Sequence, residues 1–156
     1  MSIHLLERRI DLPISPERVW TFIATPRNLN QLTPPELNFR IVSPVPELMY
    51  DGLIIRYAIS IPLFGTHDWL TEIKHIQPGR SFVDEQRCGP YRLWYHYHKL
   101  EPLPDGQCRM LDRVHYQLPF GPLGDLVHRY RVEPMLQRIF DFRAAKLTEL
   151  FAGPSS

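Results

Sequence analysis

Two hydrophobic periods divide this chain. Residues 3–12 mix both phases of a two-residue alternation, which predicts a first strand with one wet face. Ser15-Pro16-Glu17 then opens a helix. Ser suits the cap, Pro the first helical position, and an acid in the first turn favours the helix dipole. Val19, Phe22 and Ile23 follow at helical spacing, with Trp20 beside them, so this helix is expected to run to about Ala24. Thr25-Pro26 repeats the signal for a second short helix carrying Leu29 and Leu32, which Thr33-Pro34-Pro35 stops.

From residue 37 to about residue 118 the period is two. Leu37, Phe39 and Ile41 alternate with Asn38 and Arg40; Ile55, Tyr57 and Ile59 alternate with Arg56 and Ala58. Trp69, Thr71 and Ile73 share a face, and the runs 82–86, 91–101 and 108–118 complete the series. Asp51-Gly52, Pro78-Gly79, Gly89-Pro90 and Asp105-Gly106 are turn signals between them. Hairpin-like joints predict an antiparallel sheet of about seven strands.

The period then lengthens. Leu136, Ile139, Phe140, Arg143, Leu147 and Phe151 fall on one helix face, with Pro134 in the first turn. Residues 121–132 are expected as a separate, shorter helical segment leading in. The long apolar stripe needs a partner, and the concave face of the sheet is the large surface available. The expected class is α+β: a curved antiparallel sheet wrapped around a long C-terminal helix, with two short helices after the first strand.

Composition narrows this only at the margins. A chain of 156 residues suits one core, so residues 1–152 are expected to form one domain and 153–156 a flexible tail. The net charge of +1 is spread over scattered Lys and Arg, which argues against a nucleic-acid partner. The N-terminus lacks a secretory pattern, and no run approaches the roughly 20 apolar residues of a membrane span. A cytoplasmic protein without stable membrane insertion is expected, monomer or homodimer. The 16 prolines are dispersed and punctuate short elements. Cys88 and Cys108 lack a metal-type spacing, and a disulfide requires their strands to be neighbours.

Candidate chemistry gathers between Asp84 and Asp112. Trp94, His96, His98 and Leu100 share one strand face; Met110, Asp112, Val114 and Tyr116 share one on the next strand. If the two faces match, His96 or His98 comes near Asp112. Such a pair can pin strand register, contact a ligand, or move a proton at a ligand carbonyl. His96 and His98 with Asp112, Glu72 or Asp84 also form the ligand set of a facial metal triad. Any His-x-His strand produces that spacing, and neither a metal nor another cofactor is expected. Arg143 interrupts the apolar helix stripe. It either meets Asp112, Asp84 or a ligand carboxylate, or reaches solvent from the stripe's edge.

Tyr57, Trp69, Phe82, Trp94 and Tyr116 supply aromatic walls, mixed with polar Gln86, His96 and Asp112. With Asp84, His98, Met110, Ile139 and Arg143 they make up the expected ligand-contact set. Strand phase is the condition: a one-residue slip turns Tyr95 and Tyr97 inward instead. The apolar tips Pro62-Leu63-Phe64-Gly65 and Pro119-Phe120-Gly121-Pro122-Leu123 either frame a pocket mouth or pack on the helix end. The sequence contains no GxSxG, GxGxxG, P-loop or CxxC motif.

Local stretches carry a family resemblance. They are IDLPISPERVWTFIATPRNLNQLTP, DWLTEI, FVDEQRCGPYRLWYHYHKLE, MLDRVHYQLPFGPLG and IFDFR. With this element order, nearly the whole chain resembles the START-like, or Bet v 1-like, helix-grip superfamily (SRPBCC). The resemblance extends to its polyketide cyclase/dehydrase-like bacterial members and its ligand-binding relatives. It implies binding of a hydrophobic small molecule, such as a lipid, quinone, polyketide or aromatic metabolite, between sheet and helix. It leaves open a cyclase/dehydratase-like enzyme in which His96, His98 and Asp112 transfer protons. A partner-binding module that uses the fold as a scaffold is a third class.

Overall fold

The computed structural model describes residues 2–61, 65–119 and 121–152. The tips at 62–64 and 120 and the expected tail at 153–156 lie outside the described residues. Strand β1 (His4–Leu12) leads into helix α1 (Pro16–Ile23) and a 3-10 segment (Pro26–Leu32). Then come β2 (Arg40–Ile41), β3 (Leu53–Ile61), β4 (Gly65–Gln77), β5 (Ser81–Cys88), β6 (Leu93–Pro102) and β7 (Cys108–Gln117). The chain ends in α2 (Gly121–Val127), a π turn (His128–Val132) and α3 (Glu133–Phe151). The sheet order is β1-β7-β6-β5-β4-β3-β2, antiparallel at every joint. This is the expected α+β helix-grip fold.

Charge and apolarity set the phase of the sheet. On the convex face Glu7 lies opposite Arg113 and Asp11 opposite Arg109. Arg113 Nε donates to Glu7 Oε2 at 2.7 Å, and Arg109 Nε to Asp11 Oδ1 at 2.7 Å. Opposite signs thus interleave there without forming a basic stripe. The concave face is apolar except at its centre. Leu12, Val19, Met110 and Leu147 close one end of the core; Trp94, Val114, Leu136 and Phe140 close the other. Arg143 sits between the two clusters on α3.

Two expectations need correction. The strand read over residues 37–41 shrinks to Arg40–Ile41, because Pro35–Leu37 makes a 3-10 turn and Asn38 is left-handed at φ 43°. Asn tolerates that conformation better than most residues. The second short helix is present, as a 3-10 helix over Pro26–Leu32. The piece read as separate, 121–132, runs into α3 through the π turn. Pro134 has no N–H for the Tyr130 carbonyl, and the preceding turn widens so that Glu133 N–H reaches His128 O instead. The cysteine strands are not neighbours, since β6 stands between them; both thiols are free, Cys88 exposed and Cys108 buried.

Leu147 is fully buried where α3 meets Leu12 and Met110. Leu147→Ala is expected to cost about 3 kcal/mol in urea unfolding, through lost burial plus the cavity left behind. A cost below about 1 kcal/mol would place this end of α3 off the core.

Candidate functional site

Between the sheet and α3 lies a cavity of about 180 Å³. Ile55, Tyr57, Trp69 and Phe82 form its sheet wall, Leu136, Ile139 and Phe140 its helix wall, and Leu29, Leu37 and Met49 its cover. Its lining is mainly apolar; Thr25, Asn28 and Thr33 on the cover side bond to backbone carbonyls, and the charged and imidazole groups Asp84, His96, His98 and Arg143 come together at one end. Phe82 stacks on His98 with ring centres 4.1 Å apart and planes 13° from parallel. Phe140 meets His96 edge-on.

Register explains the convergence. On β6, Trp94, His96, His98 and Leu100 are buried and the residues between them are less so. Asp84 of β5 lies opposite His96, and Asp112 of β7 opposite His98. His96 therefore stands between two carboxylates, with Nδ1 3.2 Å from Asp84 Oδ2 and Nε2 3.0 Å from Asp112 Oδ1. His98 repeats this with its nitrogens exchanged: Nε2 is 2.6 Å from Asp84 Oδ2 and Nδ1 3.0 Å from Asp112 Oδ1. From α3, Arg143 Nε donates to Asp112 Oδ2 at 3.1 Å. Arg143 thus meets Asp112, one of its expected partners, and is buried rather than solvent-facing.

These contacts decide the charge states. Burial pushes the His96 imidazolium toward losing its proton, but the flanking Asp84 and Asp112 outweigh that and raise its pKa. Burial also pushes both carboxyls up. For Asp84 the charges and hydrogen bonds of His96 and His98 prevail, and its pKa is lowered. For Asp112 the Arg143 charge, then both histidines, holds it well below the usual range. Burial, then the Asp84 charge, holds Tyr57 well above its ordinary value, so its hydroxyl stays neutral. Asp84, His96 and His98 each bring one ligand-type atom within 4.8 Å of the others. Glu72 is not with them; it lies near Arg87, 3.5 Å away.

Of the expected contact set, Tyr57, Trp69, Phe82, Asp84, Trp94, His96, His98, Ile139 and Arg143 line the cavity. Four do not. Gln86 is occupied with Tyr91, its Nε2 donating to Tyr91 O at 2.6 Å and its Oε1 accepting from Tyr91 N. Met110 is deep in the apolar core. Asp112 sits behind the histidines. Tyr116 Oη is hydrogen-bonded to His128 Nε2 at 2.7 Å. Leu136 and Phe140 were missed as wall residues although they share Arg143's helix stripe. Of the cover residues, the sequence places Leu29 on a helix and Leu37 on a strand without pointing either to a cavity, and Met49 lies in a loop that carries no period.

With EDTA present, the cluster makes stability depend on pH from both sides. The His96 contribution is complete below its ordinary value of 6.5 and is lost as pH rises through the raised folded value. The Asp84 and Asp112 contributions are complete above their ordinary 3.8 and are lost as pH falls through the lowered folded values. Unfolding midpoints are expected to peak between pH 3.8 and 6.5. A midpoint that climbs steadily from about pH 6 to 9 would contradict the charged pairing. Asp112→Ala strands a buried guanidinium and is expected to cost about 3–5 kcal/mol by the same assay.

Similarities to known proteins agree with this architecture. The chain resembles the Zhui aromatase/cyclase from Streptomyces sp. R1128 at 12% identity and a TM-score of 0.74, over 97% of this chain and 94% of that one. It resembles a START superfamily protein from Mycobacterium smegmatis at 11% identity and a TM-score of 0.69, over 94% and 99%. Ara h 8.0201 follows at 22% identity and a TM-score of 0.59, over 94% and 98%. At such identities the likeness carries the fold alone, START/Bet v 1-like (SRPBCC). No curated protein matches the chain. The model of one family, described as Domain of unknown function (DUF8410), matches residues 10–151, and the chain belongs to that family.

Proposed function

We propose that this protein binds an apolar small molecule in the cavity between sheet and α3, with the molecule's polar end over Asp84, His96 and His98. The observation that carries this reading is the cavity's mainly apolar lining with its charged and imidazole groups gathered at one end. A pocket of that kind fixes a ligand by apolar burial and orients it by a few polar groups. Size narrows the ligand. An enclosed apolar cavity of roughly 150 Å³ takes up benzene, so about 180 Å³ suits a one- or two-ring compound. Aromatic metabolites, quinones and cyclised polyketides fit that description better than a full lipid chain. The Trp69, Phe82 and Trp94 rings supply faces and edges for a flat ligand.

Proton transfer to such a ligand is a second reading. The same polar end supports it, because imidazole and carboxylate groups face the cavity where a ligand oxygen would lie. Likeness to an aromatase/cyclase adds to it. His98→Gln separates the two: loss of turnover with retained affinity supports chemistry, and changed affinity alone supports binding.

Native mass spectrometry of the purified chain, with organic extraction, tests the binding reading. A reproducible small-molecule adduct is expected. Ile139→Trp, which fills the cavity from α3, is expected to remove the adduct at a cost of no more than about 3 kcal/mol in stability. An unliganded mass, together with no uptake of an added naphthol or naphthoquinone probe, overturns it.

A further inference from the structure

The polar end of the cavity is more ordered than ligand contact requires. His96 and His98 point different ring nitrogens, Nδ1 and Nε2, at the same oxygen, Asp84 Oδ2. Their remaining nitrogens, Nε2 and Nδ1, both lie 3.0 Å from one oxygen of Asp112. The two rings are thus turned in opposite senses to serve one carboxylate on the cavity side and one behind. Both rings are buried, and Arg143 occupies the other oxygen of Asp112.

A carboxylate behind an imidazole takes the proton of the far nitrogen and leaves the near nitrogen as a lone-pair donor. That is how outer partners orient metal-binding histidines. Here Asp112 Oδ1 is hydrogen-bonded to His96 Nε2 and lies 3.0 Å from His98 Nδ1, which Arg143 Nη2 also approaches at 3.5 Å. We propose that Asp84, His96 and His98 form a site for a divalent transition-metal ion, with Asp112 orienting both histidines and Arg143 offsetting the Asp112 charge. Two imidazole nitrogens and one carboxylate oxygen suit Zn²⁺, Fe²⁺ or Co²⁺ better than Mg²⁺ or Ca²⁺. Three protein ligands leave coordination positions open toward the cavity, where water or an oxygen of a bound molecule completes the sphere. The charges agree: Asp84 and Asp112 face one guanidinium, that of Arg143, so the cluster holds one carboxylate more than it has fixed cations. This assignment goes beyond the binding of an apolar molecule and holds with the cavity otherwise empty.

Equilibrium dialysis of the EDTA-stripped full chain against Zn²⁺ or Co²⁺, read by inductively coupled plasma mass spectrometry, tests it. About one equivalent of Zn²⁺ retained per chain is expected, and Co²⁺ is expected to give a visible band of low coordination number. Asp84→Asn preserves shape and removes the anionic ligand, so it decides the matter even where His98→Gln fails to fold. It is expected to weaken Zn²⁺ by more than roughly 100-fold, and Asp112→Asn by about 10- to 100-fold. Circular dichroism checks that each variant is folded. Substoichiometric Zn²⁺ in the wild type, or an affinity unchanged in Asp84→Asn, overturns the site. Neither result touches uptake of a naphthol probe, so this failure and that of the apolar-ligand reading are distinguishable.

Discussion

One carboxylate joins the two layers of this protein. Asp112, on β7, lies within 3.0 Å of both histidines of β6 through one oxygen and accepts from Arg143 of α3 through the other. Dispersion and apolar burial would let a helix slide along a curved sheet with modest loss, because apolar contacts are not directional. A buried ion pair does not allow this. Displacing Arg143 by a turn leaves charge uncompensated in a low-dielectric interior, a penalty larger than that of most single contacts. The pair therefore sets where α3 stops along the sheet, and the apolar clusters on either side of it fill in around that position.

The polar end of the cavity follows from the same arrangement. A charge group placed between two apolar clusters has to complete its hydrogen bonding internally. It does so by recruiting the next strand: Asp84 of β5 balances the histidines on the side away from Asp112. Because Asp112 lies behind the rings, Asp84 and the near ring nitrogens are what the cavity meets. The polar end of the cavity is thus a by-product of anchoring the helix.

Much of this was legible in the residues, for identifiable reasons. The alternation of Trp94, His96, His98 and Leu100 with Tyr95, Tyr97 and Lys99 sets strand phase, and the burial along β6 agrees with it. Arg143 stood out because a cation in an apolar stripe needs an anion. Gln86 and Tyr116 were placed in the wall by strand phase, yet phase cannot tell how far along a strand a cavity extends, and both residues found hydrogen-bond partners at its margin. Met110 failed for the same reason, since its face is right but its position lies under α1. Leu37 was assigned to a strand because its alternation with Phe39 and Ile41 matched the period. The left-handed Asn38 broke that run.

The separation of the two cysteines by β6 bears on how the protein meets oxidants. Cys88 is exposed, whereas burial pushes the Cys108 thiol up to about 11 and leaves it almost wholly protonated at neutral pH. No bridge can close between strands two places apart in a sheet. The fold therefore does not depend on the redox poise of its surroundings, and thiol chemistry is confined to one position. A maleimide dye added to the unmodified chain reports from Cys88 alone, a ready handle for following the molecule by fluorescence without altering its sequence.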